Sequence, residues 1–102
     1  MSLLNPTDPD RMVDASGRPY FLWDADVTLD QFRAGLRDPD PEVRAYLVAK
    51  VMRQAKPDDV FQFVRVADIV ELWPRLVRFL GRSEPMWRWL LDRWDEQRHE
   101  PR

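Results

Sequence analysis

Two aspartates open the functional question. In the stretch Tyr20-Phe-Leu-Trp-Asp24-Ala-Asp26-Val-Thr28, an apolar run is followed by acids two residues apart and a hydroxyl two further on. Paired carboxylates are residues that can act as nucleophile or general acid–base in a phosphoryl transfer. The reaction also needs a divalent cation and a lysine-like charge to neutralise the phosphoryl oxygens. A second acidic pair, Asp58-Asp59, lies downstream and could be cast as magnesium ligands. The attacking acid must end a buried strand of a parallel sheet, which takes several near-continuous Val/Ile/Leu strands with crossover helices.

The same letters also mark a helix start. Thr28-Leu-Asp-Gln31 has the spacing of a capping box, in which the Thr28 hydroxyl accepts from the Gln31 amide and the Gln31 side chain accepts from the Thr28 amide. Asp30 falls in the first turn, where negative charge suits the helix dipole. Asp24 and Asp26 can turn the chain by bonding their own downstream amides. The five-residue pattern resembles the signature of haloacid-dehalogenase phosphatases, and that resemblance implies Asp24 as nucleophile with bound magnesium. The helical rhythm downstream leaves no room for the sheet, so the cap is the expected role.

Other catalytic patterns are weaker. His99, the single histidine, sits in a charged stretch between Arg98 and Glu100, without a fixed partner. Ser2, Ser16 and Ser83 have no nearby base, and Gly17, Gly35 and Gly81 are isolated, so no phosphate-cradling loop is present. Cysteine is absent, which removes disulfides, thiolate metal sites and thiol nucleophiles. No catalytic residue, cofactor or metal site is expected.

The elements that would position any site read as helices. Residues 1–11 lack periodicity and are expected as a loose tail, with a single domain over 12–97 and a second tail over 98–102. Asp14-Ala-Ser-Gly17 suggests a tight turn between Met12-Val13 and Tyr20-Leu22, a possible small β-hairpin limited by Pro19. Leu29, Phe32 and Leu36 share one helical face. Asp40 and Pro41 start the next helix, whose stripe is Val43, Leu47, Val48, Val51, Met52 and Ala55. A short helix follows with Val60, Phe63 and Val64 inward. Ile69, Trp73, Leu76, Val77 and Leu80 continue across Pro74, which should kink or divide that element before Gly81 closes it. Ser83 can cap a last helix with Met86, Trp87, Leu90, Leu91 and Trp94 inward. The expected fold is all-α, a compact bundle of about five helices.

Composition narrows the partner class. The 102-residue chain has a formal charge of −2, and neither half forms a basic patch suited to nucleic-acid phosphates. No run approaches the ~20 apolar residues that cross a bilayer, and no secretory leader pattern is visible, so a cytoplasmic setting is expected. Arginine outnumbers lysine 14 to 2. That bias suits carboxylate or phosphate clamps, but a GC-rich bacterial genome would produce it as well.

Two resemblances extend this reading. Leu36 to Val51, LRDPDPEVRAYLVAKV, looks like the turn and second helix of a HEAT repeat, which implies a helical hairpin whose Arg44 ties the turn to a neighbouring unit. The wider pattern over residues 17–91 is similar to short bacterial helical proteins encoded beside nucleotidyltransferases of the abortive-infection type. That similarity implies an accessory or antitoxin-like neighbourhood and assigns no chemistry to any residue.

Two aromatics do not fit the core pattern. Trp23, Trp73, Trp87 and Trp94 all read as core, the first two with indole N–H groups reaching a carbonyl. Tyr46, in contrast, projects away from its stripe beside Lys50 and Arg53, and Trp89 lies far from the apolar face of the last helix with Arg93 one turn on. An aromatic flanked by cations on a polar face suits a partner hot spot; packing on another part of the chain is the plain alternative. Trp89, Arg93, Tyr46, Lys50 and Arg53 are therefore the candidate interface of a non-enzymatic protein–protein interaction module, binding another protein or itself. A nucleic-acid-binding regulator using Arg75, Arg78, Arg82 and Arg88 around Gly81 is the alternative, diluted by Glu71, Glu84 and Asp92. A phosphatase acting through Asp24 ranks third.

Overall fold

Asp40 starts the helix around which the chain is built. Its carboxylate accepts the Glu42 amide at 2.9 Å, and Pro41 occupies the first turn, where no amide donor is needed. In the computed structural model, which describes residues 6–99 and side-chain surroundings as far as Trp94, this helix is α3, Pro41–Gln54. Before it come α1, Pro9–Met12, a 3-10 turn at Tyr20–Leu22, and α2, Leu29–Gly35. After it come α4, Pro57–Val60, and α5, Val66–Leu76, then 3-10 turns at Val77–Phe79 and Gly81–Ser83, and finally α6, Glu84–His99. The fold is all-α, and no strand occurs among the described residues.

α3 is buried along most of its length. Ala45, Val48, Ala49, Val51, Met52 and Ala55 all lie in the core, whereas Val43, expected on the stripe, is exposed at the amino-terminal end. Ala45 and Ala49 supply short side chains on the buried face, which lets α5 approach closely through Ile69, Leu72 and Leu76. α2 also comes near: a Cβ at Gly35 would meet the tip of the Leu47 side chain, which would have to shift to admit a larger residue. Phe21, Phe32 and Phe63 meet with ring centroids 5.3 to 5.5 Å apart, in edge-on or tilted geometry. Trp87 of α6 is fully buried, and its indole N–H donates to the Met52 carbonyl at 3.0 Å. That carbonyl lies in the last turn of α3, where no intrahelical donor remains.

Several local expectations hold. The Thr28–Gln31 capping box is formed in both directions, at 2.9 and 3.1 Å. Gly81 adopts the left-handed conformation with φ +55°. Others are corrected. The N-terminal hairpin reduces to one bridge, Val13 to Pro19, around the turn in which the Asp14 carboxylate accepts from the Ser16 and Arg18 amides. Pro19 has no amide to extend a ladder, and Tyr20–Leu22 wind into a 3-10 turn. The Ser16 hydroxyl, foremost, and these amides hold the Asp14 carboxyl down at about 2. Ser83 does not cap α6; its hydroxyl donates to the Leu80 carbonyl because a 3-10 turn leads directly into the helix. Met86, expected inward, is exposed, since Trp87 takes the core-facing position. α5 continues two residues past Pro74 before it tightens into the 3-10 turn.

The start of the chain is attached through one buried acid. Asp59 has no exposed surface and accepts from the Thr7 amide at 2.7 Å, the Thr7 hydroxyl at 2.6 Å and the Tyr20 hydroxyl at 2.5 Å. The Tyr20 oxygen in turn accepts the Lys56 amide at 2.8 Å. Thus Thr7, within the expected tail over 1–11, is tied to the body of the fold, and α1 begins in that tail and ends at the buried Met12. Residues 1–5 and 100–102 lie outside the described residues, and α6 reaches His99, inside the expected tail over 98–102. Burial pushes the Asp59 carboxyl upward, but the hydrogen bonds from Thr7 and Tyr20 outweigh it and leave the pKa below the ordinary value. Burial, then the Asp59 hydrogen bond, raises the Tyr20 phenol.

A lowered carboxyl stabilises the fold above its unfolded pKa of about 4, and that contribution is lost as pH falls through the folded value. A raised phenol acts at the other end: its contribution holds below about pH 10 and is lost as pH rises through the folded value. At neutral pH, Asp59→Asn is expected to cost about 2 kcal/mol of stability, read as a lower urea midpoint. The gap to the parent chain should narrow below about pH 4. An unchanged midpoint at neutral pH would contradict this role for Asp59.

Candidate functional site

Asp24 leaves the 3-10 turn at Tyr20–Leu22 and meets α3. Its carboxylate accepts from Lys50 Nζ at 3.0 Å and from Gln54 Nε2 at 3.3 Å, rather than from its own downstream amides as expected. Lys50 is itself buried, with only 6% of its surface exposed. The hydrogen bond from Lys50, opposed by burial and helped by Gln54, lowers the Asp24 pKa. Asp24 therefore lies in a turn against a helix, not at the end of a strand. Asp26 points outward, 3.9 Å from Arg18. Of the second acidic pair, Asp59 is enclosed by Thr7 and Tyr20. Among the described residues no group of three acid or histidine side chains is placed to hold a metal ion.

The five candidate interface residues divide into two groups. On α3, Tyr46 is half-exposed and presents its ring perpendicular to Phe79, with centroids 5.4 Å apart. Arg53 donates to the Phe79 carbonyl at 3.0 Å, and Lys50 lies 5.7 Å from the Tyr46 ring while bonded to Asp24. Tyr46 and Arg53 thus grip the 3-10 turn at Val77–Phe79. Their exposed edges remain on the surface, but much of their chemistry is intramolecular.

Trp89 and Arg93 form the second group. By ~100° per residue they lie on the far side of α6 from Trp87. Trp89 is 58% exposed, and the Arg93 guanidinium sits 5.4 Å from its ring centroid. Met86 shares this outer face and is also exposed. The buried Trp87 fixes the rotation of α6 and thereby sets Trp89 outward. Among the described residues no hydrogen bond, ion pair or ring contact joins this pair to Tyr46, Lys50 or Arg53. Beside it, Val70, Trp73, Pro74, Leu91 and Trp94 line a cavity of about 360 Å³ between α5 and α6. The Arg88 guanidinium covers Trp73 there, at 5.4 Å.

Trp23 is the residue that sequence reasoning missed. Expected in the core, it is 75% exposed. With three residues per turn, Phe21 and Leu22 take the inward positions, and the next residue is turned outward. The acids that follow it, at 24 and 26, were the available signal that the chain was leaving the core. Trp73 is half-buried beneath Arg88 rather than fully internal.

The arginines around Gly81 are largely engaged within the chain. Arg75 and Arg78 both pair with Glu42, at 3.5 and 3.0 Å, and Arg88 pairs with Glu84 at 3.0 Å. Arg82 is exposed at the turn. No family model, curated protein or solved structure matches the chain.

The Asp24–Lys50 pair has a testable signature. Asp24→Ala leaves a buried ammonium without its partner and is expected to lower the urea midpoint. Adding Lys50→Met should recover most of the loss, because the remaining side chain is apolar and nearly isosteric. A single variant as stable as the parent, or a double variant less stable than the single, would contradict the assignment.

Proposed function

We propose that this chain is a non-enzymatic protein–protein interaction module whose principal anchor is Trp89 on the outer face of α6. The observation that carries the reading is the exposed Trp89 indole with the Arg93 guanidinium over it. A large aromatic on a fixed helix loses little conformational freedom on binding, and tryptophan and arginine are enriched at the centres of interfaces. Trp23 and Tyr46 add further exposed aromatic surface, each held on a segment anchored in the core.

The first partner to test is a nucleotidyltransferase, which the similarity to short bacterial proteins implies; in that setting the chain acts as a cytoplasmic accessory or antitoxin-like regulator. The α2–α3 hairpin supports a HEAT-like unit through its Asp-Pro turn. There Arg44 donates to the Asp38 and Pro39 carbonyls, at 2.6 and 3.2 Å, within its own turn rather than toward a neighbouring unit.

If the implied neighbourhood holds, co-elution of this chain with a nucleotidyltransferase encoded beside it is expected at micromolar concentration. Trp89→Asp should weaken the complex at least roughly tenfold while leaving the urea midpoint unchanged. Separate elution of the parent chain overturns the partner. A parent dimer that dissociates in Trp89→Asp assigns the same face to self-association. A complex indifferent to Trp89→Asp overturns the anchor.

A further inference from the structure

A hollow on the side of α2 and α5, away from α6, gathers positive charge on a chain that is negative overall. Its volume is about 530 Å³, within the range of about 300–1,000 Å³ typical of small-molecule sites. Four guanidinium groups line it: Arg33 from α2, Arg37 from the following turn, Arg44 from α3 and Arg65 at the start of α5. Asp68 and Glu71 are the acids in the lining, so the formal balance is four positive charges less two negative, or +2. The whole chain carries −2.

Three of the four arginines are held before any ligand arrives. Arg44 is fixed by Nη1, which donates to the Asp38 and Pro39 carbonyls, and its other N–H groups remain available. The Arg33 guanidinium sits over Phe63, 5.3 Å from the ring centroid. The Arg65 guanidinium is oriented by the Asp68 carboxylate at 3.3 Å. The Arg37 side chain makes no hydrogen bond or ion pair among the described residues, although it shares the hollow with three like charges. An exposed guanidinium without a counter-ion, beside three others already positioned, offers the hollow free donors that an oxyanion can take. Planar forks of N–H donors match carboxylate and phosphate oxygens bidentately.

We infer that this hollow binds a small dianionic oxyanion with a short apolar body, supplied either by a phosphate monoester or by a dicarboxylate. The +2 balance matches a dianion, and the two acids disfavour the denser charge of a polyphosphate. The apolar body fits against Leu36, Val64 and Leu72, which also line the hollow. Arg44 and Arg33 hold the oxygens, and Arg37 closes over them. The site is separate from the Trp89 face and does not depend on the interaction reading.

Calorimetric titration of the full chain in low-salt chloride buffer tests the site, with phenyl phosphate, glutarate and neutral phenol as probes. Phenyl phosphate or glutarate is expected to bind, and which of them binds more tightly identifies the source of the dianion. Arg37→Gln should weaken binding roughly tenfold, with the urea midpoint unchanged because Arg37 is exposed. Arg82→Gln, outside the hollow, should leave binding unaltered. No heat from either dianion up to ~10 mM, equal affinity in Arg37→Gln, or phenol binding as tightly as phenyl phosphate would each overturn the proposal.

Discussion

A lysine buried on the central helix sets the arrangement of the amino-terminal third. α3 is covered on most of its circumference, and its third turn carries Lys50 into a place where the ammonium is largely removed from water. A buried charge of this kind is tolerated only with a partner. Asp24 supplies it, from 26 residues away. Once Asp24 is fixed against α3, the residues just before it are fixed as well. Phe21 and Leu22 enter the core, the Tyr20 hydroxyl reaches Asp59, and Thr7 closes the network from the other side. Trp23, between the two anchored points, faces solvent. Such a pair contributes little net stability, but it selects one arrangement of the segment over its neighbours.

The surface shows two ways of treating cations. Arg75, Arg78 and Arg88 are paired with acids, while Arg53 holds a backbone carbonyl, so these residues brace the fold. Arg93 lies over an exposed indole, and Arg37 stands without a counter-ion in a basic hollow. The proposed binding surfaces are accordingly the outer face of α6 and the hollow between α2 and α5.

What was legible in the sequence was local. Thr28 and Gln31, Asp40 and Pro41, and Gly81 act within one turn of their own positions, so their spacing alone identifies them. The helical rhythm gave α3 and α6 because apolar periodicity reflects which side faces a core, whatever that core is. The same periodicity placed Trp89 off the apolar stripe, but only the fold shows that no other segment covers it. The acids were opaque for the opposite reason. Asp59 reads only as one of a pair of acids that could be cast as magnesium ligands until Thr7, 52 residues earlier, is brought to it. Lys50 reads as a surface residue until α3 is wrapped by the rest of the chain. Trp23 was misjudged because an apolar run of four residues does not reveal how many of its sides are covered, and a 3-10 turn covers only some. The basic hollow is assembled from three segments, α2 with its following turn, α3, and residues 62–72, so no single linear motif marks it.

Hydrolysis of a generic phosphate ester in the presence of magnesium is the most direct measurement, since it asks whether the Asp24 carboxylate belongs to the fold or to a reaction. With its carboxylate bound to Lys50 and Gln54, the parent chain should show no turnover above that of Asp24→Asn. Turnover in the parent that disappears in Asp24→Asn, with the folded state intact in both, would contradict the account.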